Sequence, residues 1–195
     1  ANYASREDVA RFISDMSERH GFVSSELQAL FRKAVFQPSV VRAMSPPSDP
    51  KVRSWRNYRA IFVNAQRIAA GQRFMAKHAE VLARAQAEFG VPEEIIAAII
   101  GVETVYGRNM GGYRIIDALA TLAFDYPPRA QYFRSELEHF LLYTRDAGLD
   151  VFSLKGSYAG AYGLPQFMPA SLRRYAVDYD GDALANLVRS PADAI

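Results

Sequence analysis

The 195-residue chain contains no cysteine, which excludes disulfides, zinc-thiolate centres and a thiol nucleophile, and leaves the redox compartment open. Long apolar runs are missing as well: none approaches the roughly 20 residues that a membrane-spanning helix needs. The opening residues, ANYASRED, lack the basic and apolar regions of a secretory signal, so the chain is read as cytosolic or already processed. Nor is there a marked excess of either charge. Lys and Arg total 23 against 21 Asp and Glu, a formal +2, which neither demands nucleic acid nor excludes a polyanionic partner. His20, His78 and His139 are isolated, so zinc is not supported. Tandem repeats, low-complexity tracts and sustained apolar/polar alternation are absent from the sequence.

What is there reads mainly as helix. Half of the residues are apolar, enough to bury a core as one domain or as two small lobes sharing a groove. In SREDVARFISDMSERHG the spacing predicts a helix with Ser5 as N-cap and Asp8 three residues on. Val9, Phe12, Ile13 and Met16 form its stripe, and His20-Gly21 its stop. SELQALFRKAVF repeats the pattern, and the three prolines of MSPPSDPK (44–51) predict a connector. The long segment beginning SWRNYRAIFVNAQ puts Trp55, Tyr58 and Phe62 on one helical face, with Arg53, Arg56 and Arg59 largely opposite. A solvated basic face and a ligand-contacting surface are both readings of that pattern. Only the arginine face suggests nucleic acid, and no nucleic-acid partner is expected.

The stretch AAIIGVETVYGR (97–108) sets one carboxylate, Glu103, in apolar company. Pro92 suits a first turn, Glu93 and Glu94 the positive helix N-terminus, and Gly107 the left-handed C-terminal position. Glu103 shares its face with Ile96, Ile99, Ile100 and Tyr106, and the remaining positions are small, so the helix is expected to be buried all round. Desolvation and the helix C-terminus would then raise its pKa and make it a proton donor. An ion pair with Arg108 or Arg114 is the competing structural reading. A glycosidase normally offers a second carboxylate. Asp117 and Asp125 are nearest in sequence, and Asp117 also fits a helix cap.

KGSYAGAYGLPQFMPASLRRYA (155–176) mixes three glycines and two prolines with Tyr, Gln, Phe and Met. Glycine lets a backbone approach a ligand, aromatic faces suit sugar rings, and Ser157 and Gln166 offer polar groups. It reads as a binding loop, or as a tight connection before a helix begun by Pro169. In VDYDGDALANLVRSPADAI, Asp178, Asp180 and Asp182 at alternate positions, with the Leu184 carbonyl at the seventh, resemble the first half of a calcium loop. The standard pattern fails at its sixth position, Ala183, and at its twelfth, Arg189. A solvated acidic turn is the plain alternative.

GVETVYG, RIIDALATLAFDYPPRAQYF and GSYAGAYGLPQFMPAS together resemble the membrane-bound lytic murein transglycosylase B family, glycoside hydrolase family 103, and the likeness runs back through FISDMSERHGF and SWRNYRAIFV. The resemblance implies a mainly α fold: a lysozyme-like (α+β) catalytic core over 77–195 with an accessory N-terminal helical region over 1–76. It implies cleavage of the β-1,4 bond between N-acetylmuramic acid and N-acetylglucosamine without water. Glu103 would be the single acid and then base, leaving a 1,6-anhydromuramic acid end, with no catalytic cofactor. Ser157 and Gln166 would hold sugars, Tyr162 and Phe167 shape subsites, and Arg129 meet the peptide stem, although Pro128 replaces a base that relatives often carry beside it.

The family's lengthened calcium loop would end at Asp193, giving a structural calcium site of Asp178, Asp180, Asp182, Leu184 and Asp193 over 178–193. In the family the sequence continues past the position of Ile195, so the C-terminal part of the family domain is read as absent here. Peptidoglycan strands and cell-wall synthesis proteins are the implied partners. The implied location is the periplasm, with anchoring to the outer membrane through a lipid outside this chain.

Overall fold

The computed structural model describes residues 2–46 and 54–195. Most of the connector 44–51 and Arg53 lie outside the described residues. The chain forms two compact units interleaved in sequence: Ala1–Met44 with Gly112–Gly160, and Ser45–Gly111 with Ala161–Ile195.

The first unit is built on α8 (Ile115–Asp125), in which every residue from 115 to 124 is buried. Such a helix has no solvent face, so its neighbours must cover it on all sides. The 17-residue α9 (Ala130–Asp146) packs along it, and α1 (Glu7–His20), α2 (Ser24–Lys33) and α3 (Pro38–Met44) complete the cover. The expected stripe of α1 is observed, with Val9, Phe12, Ile13 and Met16 buried and Gly21 closing the helix at φ 70°. Phe12, Phe31 and Phe124 meet edge-on at 5.8–6.0 Å between ring centres, the arrangement aromatic quadrupoles favour. Ser5 is not the cap of α1. It belongs to a short 3-10 turn (Tyr3–Ser5), Arg6 takes the cap position, and Asp8 is held by the Arg6 guanidinium. A two-residue antiparallel ladder pairs β1 (Tyr113–Arg114) with β2 (Lys155–Gly156).

In the second unit the long helical segment expected after residue 54 is broken twice. Asn64 caps α5 (Ala65–Lys77) by accepting from the Arg67 N–H, and α6 (Ala79–Phe89) begins after His78, where the backbone leaves helical geometry. Asx caps of this kind start a new helix because their side chains compete for the orphan N–H groups. The preceding α4 (Trp55–Phe62) buries none of its residues. Trp55 is 70% exposed and stacks on Tyr58, and Arg56 and Arg59 are also exposed. The core of this unit gathers Phe74, Leu82, Ile96, Ile100, Leu164 and Ala194 from α5, α6, α7 (Glu93–Thr104), the loop before α10 (Pro169–Tyr175), and α11 (Pro191–Ala194).

The expectation that α7 is buried all round is not met. Ile96, Ala97, Ile100, Gly101 and Thr104 face inward, whereas Ile95, Ile99 and Val102 are about half exposed at 49%, 51% and 46%. The helix is apolar on both faces yet packed on only one. Apolar composition does not by itself guarantee burial.

Candidate active site

Glu103 stands in the last turn of α7, on the exposed side. The burial from which a proton-donor character was expected is therefore not there. The competing ion pair is not there either: among the described residues Glu103 has no salt-bridge or hydrogen-bond partner. Arg114 is taken by Asp117, and Arg108 forms no ion pair among the described residues.

The backbone beneath Glu103 is tightly held. Thr104, fully buried, donates from Oγ1 to the Leu164 carbonyl at 2.9 Å and accepts from the Gly107 N–H at 3.0 Å. Arg67 donates from Nη1 to the Gly101 carbonyl at 2.8 Å, a second hydrogen bond to an oxygen that also accepts the Val105 N–H. Helix α7 stops at Val105, not at Gly107, through three consecutive left-handed residues: Val105 (φ 51°), Tyr106 (φ 58°) and Gly107 (φ 86°). A β-branched residue in that region is strained, and such strain concentrates at functional sites. Pro92 occupies the cap position of α7, one residue before its first turn.

Leu164 brings the glycine-rich loop to this helix end. Tyr162 and Phe167 pair across a small turn, with N–H to carbonyl distances of 2.8 and 3.0 Å. Gly163 has φ 77°, and a Cβ there would meet Leu187 atoms at 2.7–2.8 Å, so glycine is required. Gln166 sits at φ 55° and spends its amide N–H groups on the carbonyls of Met110 and Gly163. Its side-chain carbonyl is the end left to accept from a ligand. Tyr162 is half-buried, and burial pushes its phenol pKa up against the opposing charge of Arg189, so it stays a neutral donor near neutral pH. Tyr162, Gln166 and Phe167 thus lie in one short turn tied to the residue after Glu103.

Ser157 and Arg129 belong to the first unit. The Ser157 hydroxyl accepts from the Ala159 N–H, and exposed Arg129 lies over the Tyr132 ring at 4.4 Å. Asp117 is neither a free second carboxylate nor a cap of its own helix. It is buried, held by two hydrogen bonds from Arg114 at 2.7 and 3.0 Å, and accepts the Val35 N–H. Asp125 is likewise bound, by Arg6 and the Tyr3 hydroxyl.

Asp178, Asp180 and Asp182 come together, with one oxygen of each within 4.8 Å of the others, all three residues exposed. Oxygen-only donors at this spacing fit a hard cation such as calcium. Asp193 is buried and not part of that cluster. Its carboxylate accepts the N–H groups of Tyr179, Asp180 and Asn186 and so closes the loop. The Leu184 side chain is exposed. Ala183, in the place glycine normally takes, adopts φ 76° all the same. Thr104 and Arg67 did not stand out in the sequence; the nearest signal was a hydroxyl placed among apolar residues at a helix end.

The chain matches the transglycosylase SLT domain family over residues 4–195. It is 45% identical to the membrane-bound lytic murein transglycosylase B of Escherichia coli, over all of this chain and 56% of that protein. The E. coli lytic transglycosylase SLT35, solved in complex with calcium, superposes with a TM-score of 0.90 at 44% identity, over 100% of this chain and 61% of the other. SltB3 of Pseudomonas aeruginosa, solved in complex with NAG-anhNAM-pentapeptide, superposes at 0.81 with 30% identity, over 96% of this chain and 50% of the other. The chain spans a little over half the length of the curated relative it matches.

Proposed function

The chain belongs to the transglycosylase SLT domain family, and from that premise we propose that it cleaves the β-1,4 bond between N-acetylmuramic acid and N-acetylglucosamine of peptidoglycan without water, with Glu103 as acid and then base. The observation that carries this reading is the placement of Glu103. Its carboxylate, without a partner among the described residues, projects from a helix end whose backbone is fixed by Thr104, Arg67 and the loop bearing Tyr162, Gln166 and Phe167. A fixed backbone under a free acid is what positioned proton transfer needs.

The steps balance with one carboxyl group. Glu103 gives its proton to the bridging oxygen, and the bond from that oxygen to muramyl C1 breaks. The resulting carboxylate takes the proton of the C6 hydroxyl while O6 bonds to C1. No second carboxylate is required, in keeping with the occupation of Asp117 and Asp125 by arginines. Gln166 and Ser157 would hold sugars, Tyr162 and Phe167 would shape subsites, and Arg129 would meet the peptide stem. Glu103, Arg129, Ser157, Tyr162, Gln166 and Phe167 all fall within 77–195, the stretch proposed as the catalytic core. Stem-bearing glycan is the proposed substrate, consistent with the fragment bound by SltB3.

Asp178, Asp180 and Asp182 would hold calcium, with the Leu184 carbonyl and Asp193 completing or bracing the loop, in a structural role only. The periplasm is the proposed location. Among the described residues no helix is long and apolar enough to cross a membrane; a lipid outside this chain is the proposed means of the attachment that the E. coli relative's name records.

Mass spectrometry of sacculus digests tests the mechanism. Wild type should release anhydro-ended fragments and Glu103→Gln none. Equal release by both sinks the role of Glu103, and products heavier by one water make the protein a hydrolytic muramidase.

A further inference from the structure

The second unit contains a cavity of about 280 Å³ that the proposed chemistry does not use. Its charged lining is of one sign: Arg73 and Lys77 from α5 and Arg108 from the turn after α7, with no carboxylate among the lining residues. None of the three takes part in any ion pair among the described residues. Arg73 and Lys77 are one helical turn apart, where like charges repel and weaken a helix. Their clustering brings the fold no visible return, so an anionic ligand is the economical reason for it.

The floor of the cavity is apolar and aromatic. Phe74 is 8% exposed, with the Tyr106 ring 5.2 Å and the His78 ring 4.6 Å from its own. Burial first, and the charge of Lys77 second, push the His78 pKa down, which keeps a neutral imidazole in the wall. Val105 and Tyr106, the strained pair two and three residues after Glu103, form one side. The cavity is therefore covalently close to the acid, and whatever fills it bears on the backbone that carries Glu103.

We propose that this cavity holds the peptide stem of peptidoglycan, its carboxylates against Arg73, Lys77 and Arg108 and its methyl and methylene groups against Phe74 and Tyr106. The assignment rests on the peptidoglycan reading and is separate from Arg129, which lies in the first unit. Planar carboxylates match guanidinium forks bidentately, and an aromatic floor offers area to an amphipathic peptide that a phosphate polymer would leave unused.

Calorimetry on the intact chain tests it with four probes: the free tetrapeptide L-Ala, D-Glu, diaminopimelate and D-Ala; its fully amidated form; inorganic phosphate; and chitotetraose. Arg73→Gln and Arg108→Gln should each weaken tetrapeptide binding about tenfold or more, the loss expected for one charge-assisted contact. Exposed Arg11→Gln serves as control. Chitotetraose binding should be the same in every variant, and because Arg73 and Arg108 are exposed and form no ion pair among the described residues, melting temperatures should hold. The proposal is overturned if the amidated peptide binds as tightly, if both variants bind like wild type, or if phosphate displaces the peptide at equal concentration. Tetrapeptide binding without any anhydro product from sacculi would uphold the cavity and reject the transglycosylase reading; anhydro products without tetrapeptide binding would do the reverse.

Discussion

Thr104 has a larger structural part than its neighbour Glu103. Its hydroxyl joins three backbone groups, the carbonyls of Ile100 and Leu164 and the N–H of Gly107, in a place with no solvent access. Removing a buried partner leaves the others unsatisfied, at about 1–3 kcal/mol. Thr104→Val keeps the shape and loses the hydroxyl, so denaturant unfolding should show a loss in that range. Thr104→Ser keeps the hydroxyl and loses a methyl, a change of about 0.8 kcal/mol. Equal losses in the two variants would reject the hydrogen-bond account. The sequence marked Glu103 through its unusual company, but that company misled about depth. Ile99 and Val102 are as apolar as Ile96 and Ile100, and only packing distinguishes the outer pair from the inner one.

Helices α5 and α7 pack through Tyr106, whose ring fills the space left by two glycines. A Cβ on Gly71 would meet the Tyr106 hydroxyl oxygen at 2.5 Å and Cζ at 3.1 Å; one on Gly101 would also meet Cζ at 2.5 Å. The contacts differ in depth, and that makes the account testable. Gly71→Ala alone should cost about 1–3 kcal/mol by overpacking, partly offset by up to about 1 kcal/mol of helix propensity. Adding Tyr106→Phe removes the hydroxyl oxygen and should restore most of the loss at Gly71. It should restore little at Gly101, where the ring carbon still collides. Thermal melts of the two double variants check this, and equal rescue would refute it. Periodicity found most of these elements but ran α4, α5 and α6 together, because an Asn or His inside a helical pattern becomes a boundary only when its side chain or backbone leaves the helix. Glycine within α5 was the trace of the Tyr106 contact, and no spacing rule names the side chain that fills such a gap.

At the scale of the molecule, helix class and the separate motifs were legible, because turn chemistry and 3.6-residue spacing are local. The interleaving of 1–44 with 112–160 was not, since it depends on α8 being covered from distant parts of the chain. The acidic loop lies between these cases: the sequence showed its alternating aspartates, and the structure adds how the backbone draws them together. Asp178 accepts the N–H groups of Gly181, Asp182 and Ala183, Asp182 that of Leu184, and the buried Asp193 ties the loop to α11. Three exposed carboxylates held within 4.8 Å repel one another in a folded chain, whereas an unfolded chain separates them. A dication bound only to the folded loop reverses that cost. At a hundredfold excess over its dissociation constant it adds about 2.7 kcal/mol of stability, which for a chain of this length raises the melting temperature by about 5–10 °C. Magnesium should do much less, since it demands a tighter octahedral shell and sheds water reluctantly. Melting in calcium, in magnesium and in chelator, for wild type and Asp178→Asn, measures the linkage. Calcium should raise the melting point of wild type far more than that of Asp178→Asn. If both proteins shift alike, or neither shifts, the three aspartates form a solvated turn and not an ion site.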